Sequence, residues 1–410
     1  MNKQATESAS ELPVRSSAGK GFFERVFLSK LAEISEGALK IETPTGSLTL
    51  GNGDDRGIRA ELCVKNNDFF RKACLGGSLG VADSYADGDW TTPDLVMIFR
   101  LFLQNLEVMD GMEGGWATLL NKIARWGYAL SQKNTVKGSR KNIALHYDLG
   151  NEFYELMLDP TMTYSCGIFA KPETTLEEAS LAKYDRIIDQ LEIKASHHLL
   201  EIGCGWGGFS SFVAKNYNCS VDAITISKEQ YEYASEKIQN EGLSEKVSVI
   251  FTDYRDIKKK YSNIVSIEMF EAVGKKYWHN YFDTIHNSLN DGGMAALQVI
   301  TIDEKKAKDY QNRPDFIQQY IFPGGMLPTK KQFEYSAKQV GLKCIENLSF
   351  GGSYAKTLKM WNKQFQKSWN DLSKFGFDIK FKRMWEFYFS YCETGFSNSS
   401  TDVSHFLIQK

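Results

Sequence analysis

Residues 199–210, Leu-Leu-Glu-Ile-Gly-Cys-Gly-Trp-Gly-Gly-Phe-Ser, carry the local pattern on which the fold turns. A short apolar run, Leu199, Leu200 and Ile202, feeds a turn containing Gly203, Gly205, Gly207 and Gly208, and a helical pattern follows at once. That is the order of a strand, a ligand loop and a helix N-terminus. Glycines suit the loop because the backbone must turn tightly and let a ligand approach, while the first helical N–H groups point outward unpaired. A glycine-rich loop alone is a weak signal, so its surroundings have to decide.

The surroundings alternate. Leu199 to Ile202, Val221 to Ile226, Val247 to Phe251, Ile264 to Ile267 and Met294 to Ile300 are short apolar strands, separated by helical stretches such as Lys228 to Glu241 and Tyr277 to Leu289. This predicts an α/β fold, a doubly wound, Rossmann-like and mainly parallel sheet with its ligand at the carboxyl ends of the strands. A dinucleotide site would want an acidic residue near the end of the second strand, about 20 residues on. Here that strand ends Thr225-Ile226-Ser227, with hydroxyls instead, and no Lys-Ser or Lys-Thr closes the loop as an NTP-binding loop requires. Glu201 before the loop, with Thr225, Gln230 and Asp253 after successive strands, suits a ligand with a ribose, an adenine and an amino-acid tail but no phosphate. S-adenosylmethionine (SAM) fits that description.

The chain has 410 residues, beyond the ~250–300 at which single cores stop growing, so more than one domain is expected. Its formal charge of −2 gives no overall pull toward nucleic acid or anionic lipid, and there is no basic groove with stacking platforms. Seven scattered cysteines without a CxxC pair read as reduced thiols of a cytoplasm, and no residues show metal-ligand spacing. Residues 1–20 are polar and small and read as a disordered leader. Residues 21–115 read as a small α+β domain, with half-buried strands over Leu39 to Leu50 and Ile58 to Val64 and a helical region broken at Gly76-Gly77. Residues 116–141 form a linker whose apolar stripe, with Trp116 and Leu120, is flanked by Lys122, Arg125, Lys133, Lys137, Arg140 and Lys141. Such a segment either packs between domains or lies on an anionic phospholipid surface. Residues 142–410 then form the doubly wound domain.

Ordered motifs along most of the chain resemble those of the cyclopropane fatty acid synthases. They include Gly77-Ser78-Leu79-Gly80, His146 to Asn151, Tyr164-Ser165-Cys166, Glu201 to Gly208, Thr225 to Ser227 with Gln230, Asp253 to Asp256, Met269-Phe270-Glu271, Tyr320 to Gly325 and Lys382 to Trp385. The resemblance implies a SAM-dependent methyltransferase domain preceded by a small lipid-carrier-like domain. The implied reaction transfers a one-carbon unit to the double bond of an unsaturated acyl chain on a phospholipid, giving a cyclopropane. It implies that Tyr164, Ser165, Gly203, Gly205, Thr225 and Gln230 hold SAM, with Ser227 nearby and Asp253 and Tyr254 at the adenine. It also implies a bound bicarbonate ion as base, held by Cys166 and Ile300 through their backbones and by Glu271, Gln298 and Tyr354. A homodimer, peripheral to the inner face of the membrane, completes the expectation.

Two positions depart from that family pattern, which usually has His where this chain has Gln298 and again where it has Ala272. An amide donates to and accepts from an anion, but it does not titrate near neutrality. The carbocation left by methyl transfer therefore has two outcomes open to it. It closes to a ring, or it gives a methylene- or methyl-branched chain, the latter with hydride from a flavoprotein or reductase partner. A third reading, a non-catalytic lipid-binding protein, requires a degenerate SAM site. On residue chemistry alone, Gln298→His is expected to preserve or raise ring formation. The aromatic series from Trp361 to Tyr391 is expected to be mostly core, with part of it lining an acyl channel.

Overall fold

The computed structural model describes residues 21–52, 57–105 and 149–410. The expected leader and the basic segment 116–141 lie outside the described residues. The first part runs α1 (Phe22–Leu31), β1 (Ala38–Thr43), β2 (Gly46–Gly51), β3 (Arg59–Val64), α2 (Asp68–Asp87), β4 (Trp90–Thr91) and α3 (Leu95–Gln104). Its sheet has the order β2-β1-β3-β4, with β1 and β3 parallel and the other pairs antiparallel. The alternation over Leu39 to Leu50 is a hairpin rather than one strand, since Leu39 pairs with Leu50 and Thr43 with Gly46. Pro44 at the turn has no N–H to continue a ladder. Leu39 and Ile41 are buried while β2 stays largely exposed. The expected break at Gly76-Gly77 is a kink at Gly77 inside α2, whose helix resumes beyond it.

The second part runs α4 (Asn151–Met157), α5 (Leu176–Gln190), β5 (His198–Ile202), α6 (Gly208–Tyr217), β6 (Ser220–Thr225), α7 (Lys228–Asn240), β7 (Val247–Phe251), β8 (Tyr261–Ile267), α8 (Trp278–Ser288), β9 (Leu289–Ile302), α9 (Lys330–Lys338), β10 (Lys343–Ser349), α10 (Gly351–Lys367), α11 (Ile379–Ser397) and β11 (Thr401–Gln409). The seven strands follow the order β10-β11-β9-β8-β5-β6-β7. β5 to β9 are mutually parallel, and β11 enters antiparallel between β9 and β10. The five expected strands are all present. β10 and β11 went unread because β11 carries the buried polar pair Ser404 and His405 inside its apolar run, which breaks a simple pattern.

α10 and α11 join the two parts. Trp361, Trp385 and Phe387 share one continuous apolar core with Phe27, Phe69 and Trp90. Polar contacts reinforce it: the Tyr320 hydroxyl donates to Asp83 at 2.6 Å, and Lys380 donates to Asp87 at 2.8 Å. Residues of both parts, Leu62 and Trp90 from the first and Gly203 and Glu268 from the second, line one cavity. Among the described residues no helix is long and apolar enough to cross a membrane.

Candidate active site

The loop after β5 turns back beneath β6, with the N–H groups of Gly203 and Cys204 both donating to the carbonyl of Ile224 at 3.0 Å. Gly203 has φ +86°, and a Cβ there would sit 2.9 Å from the Met269 side chain, so both backbone and space demand glycine. At Gly205, φ +53°, nothing stands within 4 Å of that position, and the loop face is left open. It opens onto a cavity of about 890 Å³. Tyr164, Ser165, Gly203, Gly205, Thr225, Gln230, Asp253 and Tyr254, the residues expected to hold SAM, all line this cavity.

Their hydrogen bonds refine the picture. Thr225 donates to the Gln230 side chain at 2.9 Å and accepts from the Ser227 N–H at 3.1 Å, which sets both side chains at the end of β6. Ser227 is not on the cavity wall; its hydroxyl caps α7 by accepting from the Gln230 N–H. Asp253 is buried and paired through both oxygens with Arg255, at 2.8 and 2.7 Å. Burial pushes the Tyr254 hydroxyl up to about 12, so it stays a neutral donor and acceptor. Glu201 is buried beneath the loop, accepts from Ser210, and is pushed up to about 8 by burial.

Where β8, β9 and α10 meet, the five groups expected around bicarbonate do converge, but not on an open space. The Cys166 N–H donates to Glu268 Oε1 at 2.8 Å, Gln298 Nε2 donates to the same oxygen at 2.6 Å, and the Tyr354 hydroxyl donates to Glu268 Oε2 at 2.6 Å. The Ile300 N–H donates to Glu271 Oε1 at 2.5 Å. The donors expected to hold bicarbonate are thus engaged by two carboxyl groups of the chain itself. A further anion there would face both of them. Glu268, Glu271, Ile300 and Tyr354 line the cavity; Cys166 and Gln298 stand behind Glu268.

Gln298 is fully buried and its amide orientation is set on both sides. Its NH₂ group faces two acceptors, Glu268 and the Cys166 carbonyl at 3.1 Å, so its oxygen must accept from His405 Nε2 at 2.8 Å. His405 is therefore the neutral Nε2–H form, and burial with nearby Arg186 and Lys183 depresses its pKa to about 3. Lys183, also buried, donates to Ser165 at 2.6 Å and is lowered to about 8 by burial. Its charge and the three donors favour the ionised form of Glu268, whose pKa burial nevertheless raises. Glu271 has fewer donors. Burial and then the charge of Glu268 push it up to about 8, and its Oε2 is buried without a partner among the described residues. Of the two carboxyls, Glu268 is well supplied with donors and Glu271 is not.

Glu268 and His405 were not legible as site residues. Glu268 directly precedes the Met269-Phe270-Glu271 motif, and a second carboxylate three residues before the first, at the end of an apolar strand, is the signal that could have found it. Burial raises the Cys166 and Cys392 thiols, which disfavours their thiolates. Away from the glycine loop the cavity becomes aromatic, bounded by Phe69, Trp90, Phe99, Phe316, Phe387 and Tyr391. It therefore reaches into the small N-terminal sheet. Of the expected aromatic series, Phe387, Tyr388 and Tyr391 line it, whereas Trp361 and Phe365 are core and Phe375 is exposed.

Residues 134–406 match the family described as mycolic acid cyclopropane synthetase. The cyclopropane-fatty-acyl-phospholipid synthase of Escherichia coli K12 is 36% identical over 345 residues, 82% of this chain and 84% of that protein. The tuberculostearic acid methyltransferase UfaA1 of Mycobacterium tuberculosis is 33% identical over 335 residues, 80% of this chain and 78% of that protein. Among solved structures, mycolic acid cyclopropane synthase CmaA1 complexed with SAH and CTAB superposes with a TM-score of 0.61 at 29% identity, covering 66% of this chain and 98% of that one.

Proposed function

The chain belongs to the family of the mycolic acid cyclopropane synthetases and cyclopropane fatty acid synthases, and from that premise we propose that it cyclopropanates unsaturated acyl chains of phospholipids with SAM. It is a SAM-dependent methyltransferase of that type. The observation that carries the reading is one continuous cavity, with a nucleoside-sized polar end at the glycine loop, an aromatic slot at the other, and two carboxyls at the junction. When bound, SAM supplies an electrophilic methyl group on a positively charged sulfur. Tyr164, Ser165, Gly203, Gly205, Thr225, Gln230, Asp253 and Tyr254 would hold it, with Ser227 stiffening Gln230 from behind.

An alkene is a poor nucleophile, so the aromatic walls have to hold it in line with the methyl group and keep water out. Those same ring faces, together with Glu271, oppose the positive charge that develops on the acyl chain. The test is proton NMR and mass spectrometry of lipids from cells expressing the chain, where ring protons on a saturated chain support the reading. An olefinic methylene or a saturated methyl branch would favour the second reading. That second reading is supported by Gln298 and Ala272 and by the likeness to UfaA1. Its saturated form alone needs a reductase partner. The lipid-carrier reading is disfavoured by the intact loop, and it would return if equilibrium titration found lipid binding without SAM binding.

The position of Glu271 ties SAM affinity to pH. Its carboxyl lies at about 8 in the free chain, and a neighbouring sulfonium would favour the carboxylate and lower that value. SAM affinity is thus expected to rise with pH up to about 8 and then level off, because binding expels a proton only below that point. S-adenosylhomocysteine, whose sulfur is neutral, should lack the part of this rise that comes from Glu271. Calorimetric titrations of both ligands check this, and parallel curves would place Glu271 away from the sulfur.

Reaching acyl chains in a bilayer requires surface contact, which we assign to the basic segment 116–141, in a homodimer at the inner face of the membrane. Reversing Lys122, Arg125, Lys133, Lys137, Arg140 and Lys141 is expected to weaken binding to anionic vesicles by ~1 kcal/mol per charge near the surface. The salt dependence should vanish with it. Unchanged vesicle sedimentation at low and high salt would return the segment to a linker role.

A further inference from the structure

We propose that Glu268 is the base of this reaction, a carboxylate built into the chain at the place where a free bicarbonate ion would otherwise be held. The inference rests on the methyl-transfer reading above and names the group that completes it.

Shape and bonding carry the argument. A carboxylate and a bicarbonate ion present the same planar pair of oxygens with the same lone-pair directions. Both oxygens of Glu268 are held: Oε1 by Cys166 N–H and Gln298, Oε2 by the Tyr354 hydroxyl. Three of the five groups expected to grip the ion thus grip this side chain, and a fourth, the Ile300 N–H, grips Glu271. Nothing in that cradle is left to bind a second anion.

The amide at 298 suits a carboxylate occupant. One NH₂ donates to both Glu268 and the Cys166 carbonyl while the oxygen accepts from His405 on the adjacent strand. An imidazole offers a single N–H on each ring nitrogen and could not make all three bonds. The departure at Gln298 and the presence of Glu268 are therefore one change, not two.

The backbone agrees. Glu268 has φ +50°, the left-handed region that side-chain-bearing residues avoid at an energetic cost. It is held there by its own N–H donating to the Gln298 carbonyl at 2.8 Å and by the three donors on its carboxylate. Strain kept at a cavity wall, on a residue whose carboxylate faces that cavity, is what an active position shows.

The step balances without any further reagent. The alkene pair forms a bond to the methyl carbon as the sulfur–carbon bond breaks and its electrons stay on sulfur, leaving a cation on the second alkene carbon. Glu268 takes one proton from the new methyl group, and the freed C–H pair forms the bond that closes the ring. Glu268 is then a neutral acid, and its proton passes to water as product leaves. If a hydride first shifts from the methyl-bearing carbon to the cation, the same proton loss gives an exocyclic methylene. Glu268 serves either course.

The test uses the full chain with SAM and vesicles of an oleoyl phospholipid in buffer sparged free of CO₂, with and without millimolar bicarbonate. Wild-type turnover should be the same in both. Glu268→Gly suits the left-handed backbone and opens the cradle; it should lose about 10²–10⁴-fold in rate without bicarbonate and regain roughly tenfold or more with it. Glu268→Gln keeps the cradle filled and should be equally slow but not rescued. Labelled bicarbonate, followed by carbon NMR, should bind Glu268→Gly and not wild type. Bicarbonate stimulation of wild type, or full activity of Glu268→Gly in CO₂-free buffer, would overturn the proposal. A Glu268→Gly chain that binds no bicarbonate would overturn the shared cradle alone. Wild type that binds SAM yet transfers nothing to any acyl lipid would instead overturn the function on which the proposal rests.

Discussion

Replacing Glu271 with glutamine is expected to slow methyl transfer by about 10²–10⁴-fold while SAM still binds. Glu271 Oε1 accepts from the Ile300 N–H, and an amide oxygen takes over that bond. The change falls on Oε2, which is buried with no partner among the described residues, in a side chain that lines the cavity together with Glu268. In glutamine that position becomes an NH₂ group, which cannot acquire negative charge as a cation develops beside it. The fold has little reason to suffer, because the unpartnered oxygen contributes no hydrogen bond to lose. SAM affinity in this variant should also lose its rise with pH, since the group that expels a proton is gone. Single-turnover formation of S-adenosylhomocysteine, measured beside equilibrium SAM binding, separates the two effects. Wild-type turnover in the variant would remove Glu271 from the chemistry.

Replacing Gln298 with histidine should reduce activity, by about 10–100-fold, where residue chemistry alone had suggested that it would preserve or raise ring formation. Gln298 is the hinge of a relay from His405 to Glu268. Histidine in its place cannot both accept from His405 Nε2 and donate to Glu268 and Cys166. His405 Nδ1 has no partner among the described residues, so losing Gln298 Oε1 would leave neither nitrogen of this buried imidazole paired in that relay. Orphaning a buried donor costs about 1–3 kcal/mol. At ~2–4 °C per kcal/mol for a domain of this size, a lower melting temperature should accompany the lower rate. With its pKa near 3, His405 is not able to escape the penalty by protonating at neutral pH. A rate at or above wild type with an unchanged melting temperature would restore the simpler expectation. Because the carboxylate of Glu268 would then sit on a less complete set of donors, the same variant also probes how firmly that group is held.

Much of this molecule is written in short-range pattern. The strand, loop and helix around Gly203 and the five parallel strands follow from hydrophobic period and turn chemistry acting over a few residues. So does the preference for a SAM-like ligand, which rests on hydroxyls at Thr225 and Ser227 where a dinucleotide site needs an acid. Ser227 is an instructive partial case. It was expected near the ligand, yet its own hydroxyl caps a helix, because the same residue types that bind ribose also satisfy orphan N–H groups. The hairpin at Pro44 was missed because period-2 alternation continues through a tight turn as readily as through a strand.

By itself, then, the sequence determined the doubly wound sheet and the place of the ligand loop, with Thr225, Gln230 and Asp253 near it, while Glu271 and Tyr354 entered only through the family resemblance. Only the tertiary structure decided what meets at the reaction centre. Gln298 is 107 positions from His405 and 30 from Glu268, and Glu268 is 102 from Cys166 and 86 from Tyr354. No local period reports such distances. A carboxylate at the end of an apolar strand reads the same whether it faces water or three buried donors. What makes Glu268 a held anion is the convergence of a backbone N–H, an amide and a hydroxyl from separate elements, and that convergence exists only once the sheet, α10 and β11 have packed together.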